Sequence, residues 1–520
     1  MNNSLTINEI NKVYKILRSD IDKYVLKGQY EKAYALLDSY AIICQGINDH
    51  FRDDHIEKVL KNISYNVFGS IACPLSPIGP TNIVFYDQIG TTVCLGLQYM
   101  RALKDLGYNI TYIFESPIRR VQESFLSEVK HTCSSYHIFE GPSTLEKAKT
   151  IQSLILQSGS SKIITHFSAE GALAASVLYS LGGMERYRIV PGDHHYYLGI
   201  DCYDHYLDYR DFAVKVSVEE RMIPMQKINR LTYYPIIDSS VSFKGFPKEV
   251  EGKIIILAAG AEYKFHGSNW FFDFSKWLLD NHDGVVIVFL GDVSSKIKNF
   301  VDENHFEEKF LLLGYRNDFV ECMKHSDIFL NSYPMGGGLV GLTAVNLAIP
   351  VLSHYDEFNG LQNSIRSFMG AEKINSPISF SDDSEMKKYA SRLICDNDFR
   401  REEGKRMKSM TQTRDKFTTQ LGEILKNNAY QVTCVTEKSC HLEKRLESYI
   451  TLQNDFQPSI LLRLARSYGF SYIFHFPFLL CYSWNHRKMM SGFIMGLWAN
   501  KIFPSNLFMW LKKKLMSKFI

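Results

Sequence analysis

Apolar and polar residues follow a helical spacing at the start of the chain. Over residues 1–75, stretches such as INEINKVYKILRSD and YEKAYALLDSYAII place apolar residues three and four positions apart, with charges between them. This spacing is typical of amphipathic helices, because one helical turn takes 3.6 residues. The pattern therefore predicts an N-terminal helical segment.

From residue 80 onward, short apolar runs alternate with helix-like stretches. In TNIVFYDQIGTTVCLGLQYMRALKDLGYNITYIFESP, an apolar run and a turn with Gly90 precede an amphipathic stretch, which stops at Gly107 before a second apolar run. Strands that alternate with helices form parallel sheets covered by those helices. Because the alternation continues to residue 236, we predict a doubly wound, Rossmann-like α/β domain over residues 80–236.

A linker-like break separates this domain from a second one. The stretch YYPIIDSSVSFKGFPKEVEG is rich in prolines, serines and charges, and the strand-like runs KIIILAAG, VVIVFLGD, KFLLLGY, DIFLNSYP and IPVLSHY follow it. They predict a second Rossmann-like α/β domain over residues 250–427. Two such domains leave a cleft between the carboxyl ends of their strands, where ligands bind in this type of sheet.

The last part of the chain has a different composition. Over residues 438–520 we predict a helical, amphipathic tail, in which GFSYIFHFPFLLCYSW and SGFIMGLWANKIFPSNLFMWLKKKLMSKFI combine aromatics and methionines with basic residues. Its apolar runs are broken by His475, Pro477, Asn500 and Pro504. They therefore suit the interface of an anionic membrane better than a membrane span. A terminal helix pair packed on the body or on another subunit is the alternative.

Composition narrows the class of function. A chain of 520 residues suits two large domains, and a net charge of +3 gives no reason to expect a nucleic-acid partner. Ten cysteines without a CxxC pair favour a reducing compartment over a zinc site or a disulfide framework. The N-terminus also lacks the pattern of a secretory signal. We therefore expect a cytoplasmic protein, with the tail as its contact to the inner face of the membrane.

A glycine-rich turn is the first candidate for a binding site. In NSYPMGGGLVGLTAVNLAIPV, three glycines follow a predicted strand and precede a predicted helix. Glycine lets the backbone approach a ligand, and the first turn of a helix offers free N–H groups and the positive end of the helix dipole. A phosphate group suits this turn, but an ordinary strand-to-helix connector has the same pattern.

The segment around this turn resembles the nucleotide-sugar site of GT-B glycosyltransferases. The run GYRNDFVECMKHSDIFLNSYPMGGGLVGLTAVNLAIPVLSH is similar to the family's G-[FY]-R-x-D segment, proline-ended strand, glycine-rich turn and T-x-x-[DE]-A-L-x-x-G-x-P-V helix. The stretch AAGAEYKFHGSNW is similar to the one that carries the diphosphate-contacting lysine in the O-GlcNAc transferase-like and HMW1C-like branch. The first domain matches bacterial surface-polysaccharide glycosyltransferases more loosely.

The resemblance implies which residues hold the donor. They are Tyr263, Lys264, Arg316, Gly336, Gly337, Gly338, Leu339, Val340 and Thr343. An ammonium at Lys264 would neutralise the departing diphosphate, and the glycine turn with the N–H groups after it would hold the phosphates. Without the resemblance, Lys264 would be an ordinary solvated lysine. Arg316 is assigned to the base or diphosphate pocket, and a pair between Arg316 and Asp318 is the alternative.

Two positions depart from the family pattern. Counted back from Pro350, the family's ribose-binding acid falls on Thr343 and its usual glycine falls on Ala348. A hydroxyl can hydrogen-bond a ribose, but it lacks the charge-assisted, bidentate contact of a carboxylate. Asn346, one helical turn on, could share this role. Donor binding is therefore expected to be weaker than in the family, differently arranged, or lost.

A polar cluster in the first domain supplies candidates for catalysis. Asp193, His194 and His195 directly follow the predicted strand RYRIV, in a stretch that resembles the D-H-x-[FY]-W-L-G segment of bacterial glycosyltransferases. An imidazole suits removal of the acceptor proton, with a carboxylate to orient it, so either histidine is a candidate base. Adjacent histidines on a strand point to opposite faces, so we do not expect them to chelate one metal ion together. A structural role for both remains open.

Three further residues are candidates for the acceptor side of the cleft. His166 and Glu170 lie at the end of a predicted strand, in ITHFSAEG. Either could contact the acceptor or cap a helix that begins near Ser168. Gly90 lies in a turn that resembles the first-domain glycine loop of the GT-B enzymes.

The resemblance implies a metal-independent GT-B glycosyltransferase without a cofactor. Its donor would be a nucleotide-sugar, with a UDP-sugar expected, and its acceptor a glycan or a lipid-linked molecule, as in bacterial surface-polysaccharide synthesis. A lysine, glycine-loop amides and a helix N-terminus can stabilise the leaving diphosphate without a metal. One alternative is a sugar-nucleotide epimerase on the same scaffold, which would use acidic residues in the cleft. The other is a non-catalytic scaffold protein that has lost donor binding.

Overall fold

The structure of the chain is a computed structural model. It describes residues 6–74, 81–91, 95–116, 121–193, 195–237, 241–265, 268–355, 368–369, 378–427 and 457–479. Of the predicted site residues, His194 lies outside these ranges. The basic and aromatic residues beyond position 479 also lie outside them.

Three helices precede the first strand and confirm the predicted N-terminal helical segment. They are α1 (Ile7–Leu26), α2 (Tyr30–Ile47) and α3 (Asp54–Phe68). A capping box starts α1, because the Thr6 hydroxyl accepts from the Glu9 N–H and the Glu9 carboxylate accepts from the Thr6 N–H. The Asp53 carboxylate starts α3 in the same way, since it accepts from two N–H groups of the first turn.

A seven-stranded parallel sheet forms the centre of the first domain. Its strands are β1 (Asn82–Asp87), β2 (Asn109–Ser116), β3 (Ser135–Glu140), β4 (Lys162–His166), β5 (Glu185–Ile189), β6 (His205–Asp208) and β7 (Ile228–Arg230). The flanking helices are α4 (Gly96–Asp105), α5 (Glu123–Thr132), α6 (Leu145–Gln157), α7 (Ala172–Tyr179) and α8 (Asp211–Glu219). The spatial order is β3-β2-β1-β4-β5-β6-β7, so a topological switch point lies between β1 and β4.

A five-stranded parallel sheet forms the centre of the second domain. Its strands are β8 (Ile254–Gly260), β9 (Val285–Gly291), β10 (Phe310–Gly314), β11 (Ile328–Leu330) and β12 (Val351–Leu352). Its helices are α9 (Trp270–Asn281), α10 (Ser295–Asn304), α11 (Phe319–Lys324), α12 (Gly338–Asn346), α13 (Asp383–Cys395) and α14 (Asn397–Ser409). The order β10-β9-β8-β11-β12 places a switch point between β8 and β11. The two sheets confirm the predicted pair of Rossmann-like domains.

The chain passes between the two domains twice. The first crossing follows β7, and the second leads from α14 into α15 (Arg414–Asn427). This helix packs on the first domain, because the Phe417 ring meets the Tyr99 ring at 5.0 Å and the Arg414 guanidinium pairs with the Asp105 carboxylate at 2.8 Å. The residues predicted as the end of the second domain therefore pack on the first.

Two helices near the C-terminus pack on the N-terminal helices. They are α16 (Gln457–Tyr468) and α17 (Tyr472–His475), and buried Leu464 and Phe476 belong to the same apolar core as α1 and α2. The Tyr468 hydroxyl donates to Asp20 of α1 at 2.9 Å. For residues 457–479 this is the packed alternative that the sequence left open. Within the described ranges, no helix combines the length and apolar content needed to cross a bilayer.

Candidate functional site

Lys264 lies directly after β8, at the switch point of the second sheet. Its side chain belongs to a short turn over Glu262–Phe265, beside Tyr263, whose ring is 37% exposed. Burial lowers the pKa of Lys264 below its ordinary value, and no carboxylate in the described part of the chain offsets this effect. An ammonium that is partly desolvated and unpaired favours the binding of an anion.

The glycine turn after β11 lies next to Lys264. The Met335 N–H donates to the Lys264 carbonyl at 3.4 Å, which joins the two turns. Asn331, the first residue after β11, builds the turn, since its side-chain oxygen accepts from the N–H groups of Ser332 at 3.1 Å and Gly337 at 2.9 Å. Sequence reasoning missed Asn331, although an asparagine after a strand is a known sign of such a turn.

The first turn of α12 offers free backbone donors beside Lys264. No side chain caps this helix, and its first hydrogen bond runs from the Gly341 N–H to the Gly337 carbonyl at 2.8 Å. Within the described ranges, the N–H groups of Gly338, Leu339 and Val340 therefore have no partner. Backbone donors at a helix start and an unpaired ammonium are the groups that a phosphate requires, and the Met335–Lys264 backbone hydrogen bond joins the two turns that carry them.

Gly338 is needed for contact between the domains. A Cβ at this position would lie 2.8 Å from the Phe368 ring and 2.9 Å from the hydroxyl of Tyr233, which follows β7. The backbone of Gly338 does not adopt the left-handed conformation. Close approach, rather than backbone conformation, is the reason for glycine here.

Thr343 and Asn346 both use their donors within α12. The Thr343 hydroxyl is buried and donates to the Leu339 carbonyl at 2.9 Å, and the Asn346 amide donates to the Leu342 carbonyl at 3.1 Å. For a ribose hydroxyl, the Thr343 oxygen is therefore available only as a hydrogen-bond acceptor. The GT-B pattern has a ribose-binding carboxylate at this position, and α12 contains no carboxylate.

Arg316 holds the linker between the domains. Its guanidinium pairs with both oxygens of Asp318, at 2.7 and 2.6 Å, and donates to the Gly245 carbonyl at 3.2 Å. These hydrogen bonds hold the pKa of Asp318 well below its usual range. The pair with Asp318 is the alternative that the sequence left open for Arg316.

Asp87 and His166 meet at the switch point of the first sheet. They end the neighbouring strands β1 and β4, both are buried, and the His166 Nδ1 lies 3.0 Å from the Asp87 carboxylate. The same carboxylate accepts from the Gly90 N–H at 3.1 Å, in a turn where Gly90 has φ of +57°. Within the described ranges, the buried Nε2 atom of His166 has no hydrogen-bond partner.

The contact with Asp87 favours one neutral tautomer of the imidazole. In the tautomer whose Nδ1–H donates to Asp87, the lone pair lies on Nε2. Sequence reasoning missed Asp87, because it ends an apolar strand 79 residues before His166. The signal that could have identified Asp87 is a carboxylate at the last position of the apolar run NIVFYD.

The loop that carries Asp193 and His195 is held by two arginines. The Asp193 carboxylate is fully buried and forms an ion pair with Arg210. The Arg221 guanidinium donates to the backbone carbonyls of Asp193 and His195, both at 2.7 Å. Asp193 thus has a clear structural role, while the partly exposed His195 stays a candidate base.

Glu170 is tied to the C-terminal helices. It forms an ion pair with Arg463 of α16. The neighbouring helix α7 begins at Ala172, and its cap is the Asp38 carboxylate of α2, which accepts from the N–H groups of Gly171 and Ala172 at 2.9 Å. Neither Glu170 nor His166 therefore caps this helix.

A metal site is not found in the described part of the chain. No group of three or more His, Cys, Asp or Glu side chains there is arranged to hold a metal ion. The cysteines described are free thiols.

Comparisons with known proteins identify the fold. No protein-family model matches the chain, and no curated protein matches it in sequence. A glycosyltransferase from Rickettsia africae is similar in structure, with a TM-score of 0.52 and 14% identity over 67% of this chain and 98% of that chain.

Two further structures give lower scores. An O-GlcNAc transferase mutant from Thermobaculum terrenum has a TM-score of 0.48 and 12% identity over 85% of this chain and 83% of that chain. HepE from Anabaena, in complex with UDP and glucose, has a TM-score of 0.48 and 13% identity over 66% of this chain and 99% of that chain. The similarity to the Rickettsia africae glycosyltransferase and the two parallel sheets show the GT-B fold, as the sequence resemblance predicted.

Proposed function

We propose that the protein is a GT-B glycosyltransferase that moves a sugar from a nucleoside-diphosphate donor, with a UDP-sugar expected, to a glycan or lipid-linked acceptor. The observation that carries this proposal is the unpaired Lys264 beside the free N–H groups that begin α12. The Met335–Lys264 hydrogen bond holds these two parts of the site together.

The donor end of the proposed site binds the diphosphate by electrostatic attraction. A bound diphosphate supplies the countercharge that Lys264 lacks, and the helix N-terminus adds donors to its oxygens. As the bond between the anomeric carbon and the diphosphate oxygen breaks, the electron pair goes to that oxygen. The same groups then stabilise the leaving anion without a metal.

The acceptor end needs a base on the first domain. His166 fits this role, because Asp87 orients it and leaves Nε2 free to take the proton of an acceptor hydroxyl. The acceptor oxygen then forms the new bond to the anomeric carbon. His195 is the competing candidate, with Arg221 holding its backbone.

Binding of donors is the first test. We expect one nucleotide-sugar in a panel of UDP-, GDP- and CMP-sugars to raise the melting temperature, because a ligand that binds the folded state stabilises it. A protein that none of them stabilises would be a non-catalytic scaffold. Conversion of the donor sugar without any acceptor would instead identify an epimerase.

Substitution of the lysine is the second test. Lys264→Ala should lower transfer by about 100-fold or more, as loss of a group that stabilises the leaving charge does. Lys298→Ala, on the exposed face of α10, is the matched control. Unchanged turnover of a folded Lys264→Ala variant would reject the assignment.

A further inference from the structure

A small polar cavity lies where the two crossings between the domains run side by side. Its volume is about 180 Å³. Arg230 and Thr232 line it from the first crossing, and Thr411 and Gln412 line it from the second. Lys416 and Gln420 of α15 complete its polar wall, and two methionines close it. None of these residues belongs to the proposed reaction site.

The charges around the cavity favour an anion. Its lining contains two cations and no carboxylate. Arg230 pairs with Asp211 at 2.5 Å, on α8, whereas the Lys416 ammonium has no ion-pair partner among the described residues. A cation without a countercharge attracts an anion, and a second cation on the opposite wall can share it.

The uncharged lining residues supply hydrogen-bond donors. Thr232 is buried, and its hydroxyl makes no hydrogen bond with the described residues. The Gln412 amide donates to the Gln420 side-chain oxygen at 2.6 Å, which holds both amides at the wall. This combination of two cations, a hydroxyl and amides is the chemistry that holds phosphate oxygens.

The size of the cavity limits the ligand. At about 30 Å³ per water, it has room for about six waters. This volume is below the about 300–1,000 Å³ of pockets for larger organic ligands. A single phosphate or a pyrophosphate fits this space.

We propose that this cavity binds inorganic phosphate or pyrophosphate and that the bound anion joins the two crossings. Thr232 lies on the path from the first domain, and Lys416 begins the helix that returns to it. An anion held by both restrains the hinge on which opening and closing of the cleft depends. Phosphate would thus act at a place separate from the donor.

Titration calorimetry of the full chain with inorganic phosphate and with pyrophosphate tests this site. The titrations are compared with chloride at equal ionic strength, because screening alone changes surface electrostatics. We expect Lys416→Gln to weaken binding about tenfold or more, as loss of a charge-assisted hydrogen bond does. Thr232→Val should also weaken it while leaving the charge unchanged. Lys405→Gln, on the exposed face of α14, is the control and should bind as the unmodified protein does.

The donor site must be separated from the cavity in this experiment. Phosphate binding that persists in Lys264→Ala but falls in Lys416→Gln supports the cavity. Binding that disappears in Lys264→Ala and is unchanged in Lys416→Gln would place the anion at the donor turn and overturn the proposal. An absence of measurable binding to the unmodified protein would overturn it too.

Discussion

At the scale of single residues, Lys264 and Asp193 show two outcomes of burying a charge. Asp193 is buried against Arg210, so its charge is balanced within the protein. Removal of one partner of such a pair costs about 3–5 kcal/mol. Lys264 has no partner in the described ranges, and burial lowers its pKa. The first arrangement stabilises a loop, and the second leaves a site that an anion can complete.

The choice between His166 and His195 as the base is a prediction at this scale. We expect His166→Gln to lower kcat by about 10²–10⁴-fold, the usual effect of losing a general base, with little change in the KM of the donor. Steady-state kinetics with each substrate varied separately measure this. His195→Gln is the comparison variant and should keep most of its activity.

The same variants can contradict the assignment. If His195→Gln is inactive and His166→Gln is not, the base lies in the loop after β5. Asp87→Asn provides an independent check, because the amide keeps the shape of the carboxylate but no longer holds the imidazole as an anion would. We expect its loss of kcat to follow that of His166→Gln.

At the scale of elements, the start of α12 has two roles. It presents backbone donors to the proposed diphosphate site, and its first residue packs against Tyr233 and Phe368. The helix can approach the first domain this closely because Gly338 has no side chain. The proposed donor binding would therefore be coupled to the contact between the domains at Gly338.

Gly338→Ala tests this coupling. The added methyl group would lie closer to Phe368 and Tyr233 than real Cβ atoms do, so we expect a loss of about 1–3 kcal/mol in the free energy of unfolding, together with weaker donor binding. Denaturant unfolding and thermal shift with the donor measure the two effects. Gly284→Ala, where a Cβ meets nothing within 4 Å, is the matched control. Equal behaviour of the two variants would show that α12 has room to move.

A buried acidic network lies under the switch point of the first sheet. The Glu115 carboxylate accepts from Gln88 at 2.7 Å, and Asp38 caps α7 close to Glu170. Burial raises the pKa of Glu115 to about 7 and that of Asp38 to about 6. Gln88 directly follows Asp87, so this network borders the proposed acceptor site.

The raised pKa values predict a pH-dependent stability. The folded state binds these protons more tightly than the unfolded state, for which the ordinary values are 4.5 for Glu115 and 3.8 for Asp38. Their contribution is therefore fully present below the ordinary values and is lost as the pH rises through about 6 to 7.

Glu115→Gln should reduce the change in the free energy of unfolding between pH 4.5 and 7 by about 2–3 kcal/mol. Denaturant unfolding across this pH range measures it. Glu146→Gln, an exposed carboxylate of α6, is the control and should keep the slope of the unmodified protein. A Glu115→Gln slope equal to that of the control would contradict the raised pKa.

At the scale of the whole molecule, the helices α16 and α17 pack on the N-terminal helices and share a core with the first domain. Buried Leu464 and Phe476 share a core with the N-terminal helices, and Arg463 reaches Glu170. The described chain therefore ends, at residue 479, beside the N-terminal helices.

Truncation after residue 479 tests the membrane role of the tail. We expect the truncated protein to keep its melting temperature and to lose binding to anionic liposomes, because each basic residue near such a surface contributes about 1 kcal/mol. Liposome sedimentation measures this, with zwitterionic vesicles as the control. Undiminished binding after truncation would refute the role. Removal of α16 as well would expose the core around Leu464, so the shorter deletion is the informative one.

Long-range packing explains why parts of the site could not be predicted from the sequence. The glycine turn carries a local pattern and could be named in advance, whereas Lys264 was named through the family resemblance alone. Asp87 and Asn331 carry only the general signal of an acid or an amide at a strand end, and their partners His166 and Gly337 are set by the fold. The partner of Glu170 was also hidden, since Arg463 lies 293 residues from Glu170 along the chain.

Two Rossmann-like domains with a helical start follow from the sequence alone, because helical spacing and apolar strand runs are local properties of the chain. The glycine turn likewise predicts a phosphate-type site by its position between a strand and a helix. Tertiary structure decided which charges stay unpaired and that the helices over residues 457–479 pack on the N-terminal helices. Those outcomes depend on contacts between distant elements, and local periodicity carries no information about such contacts.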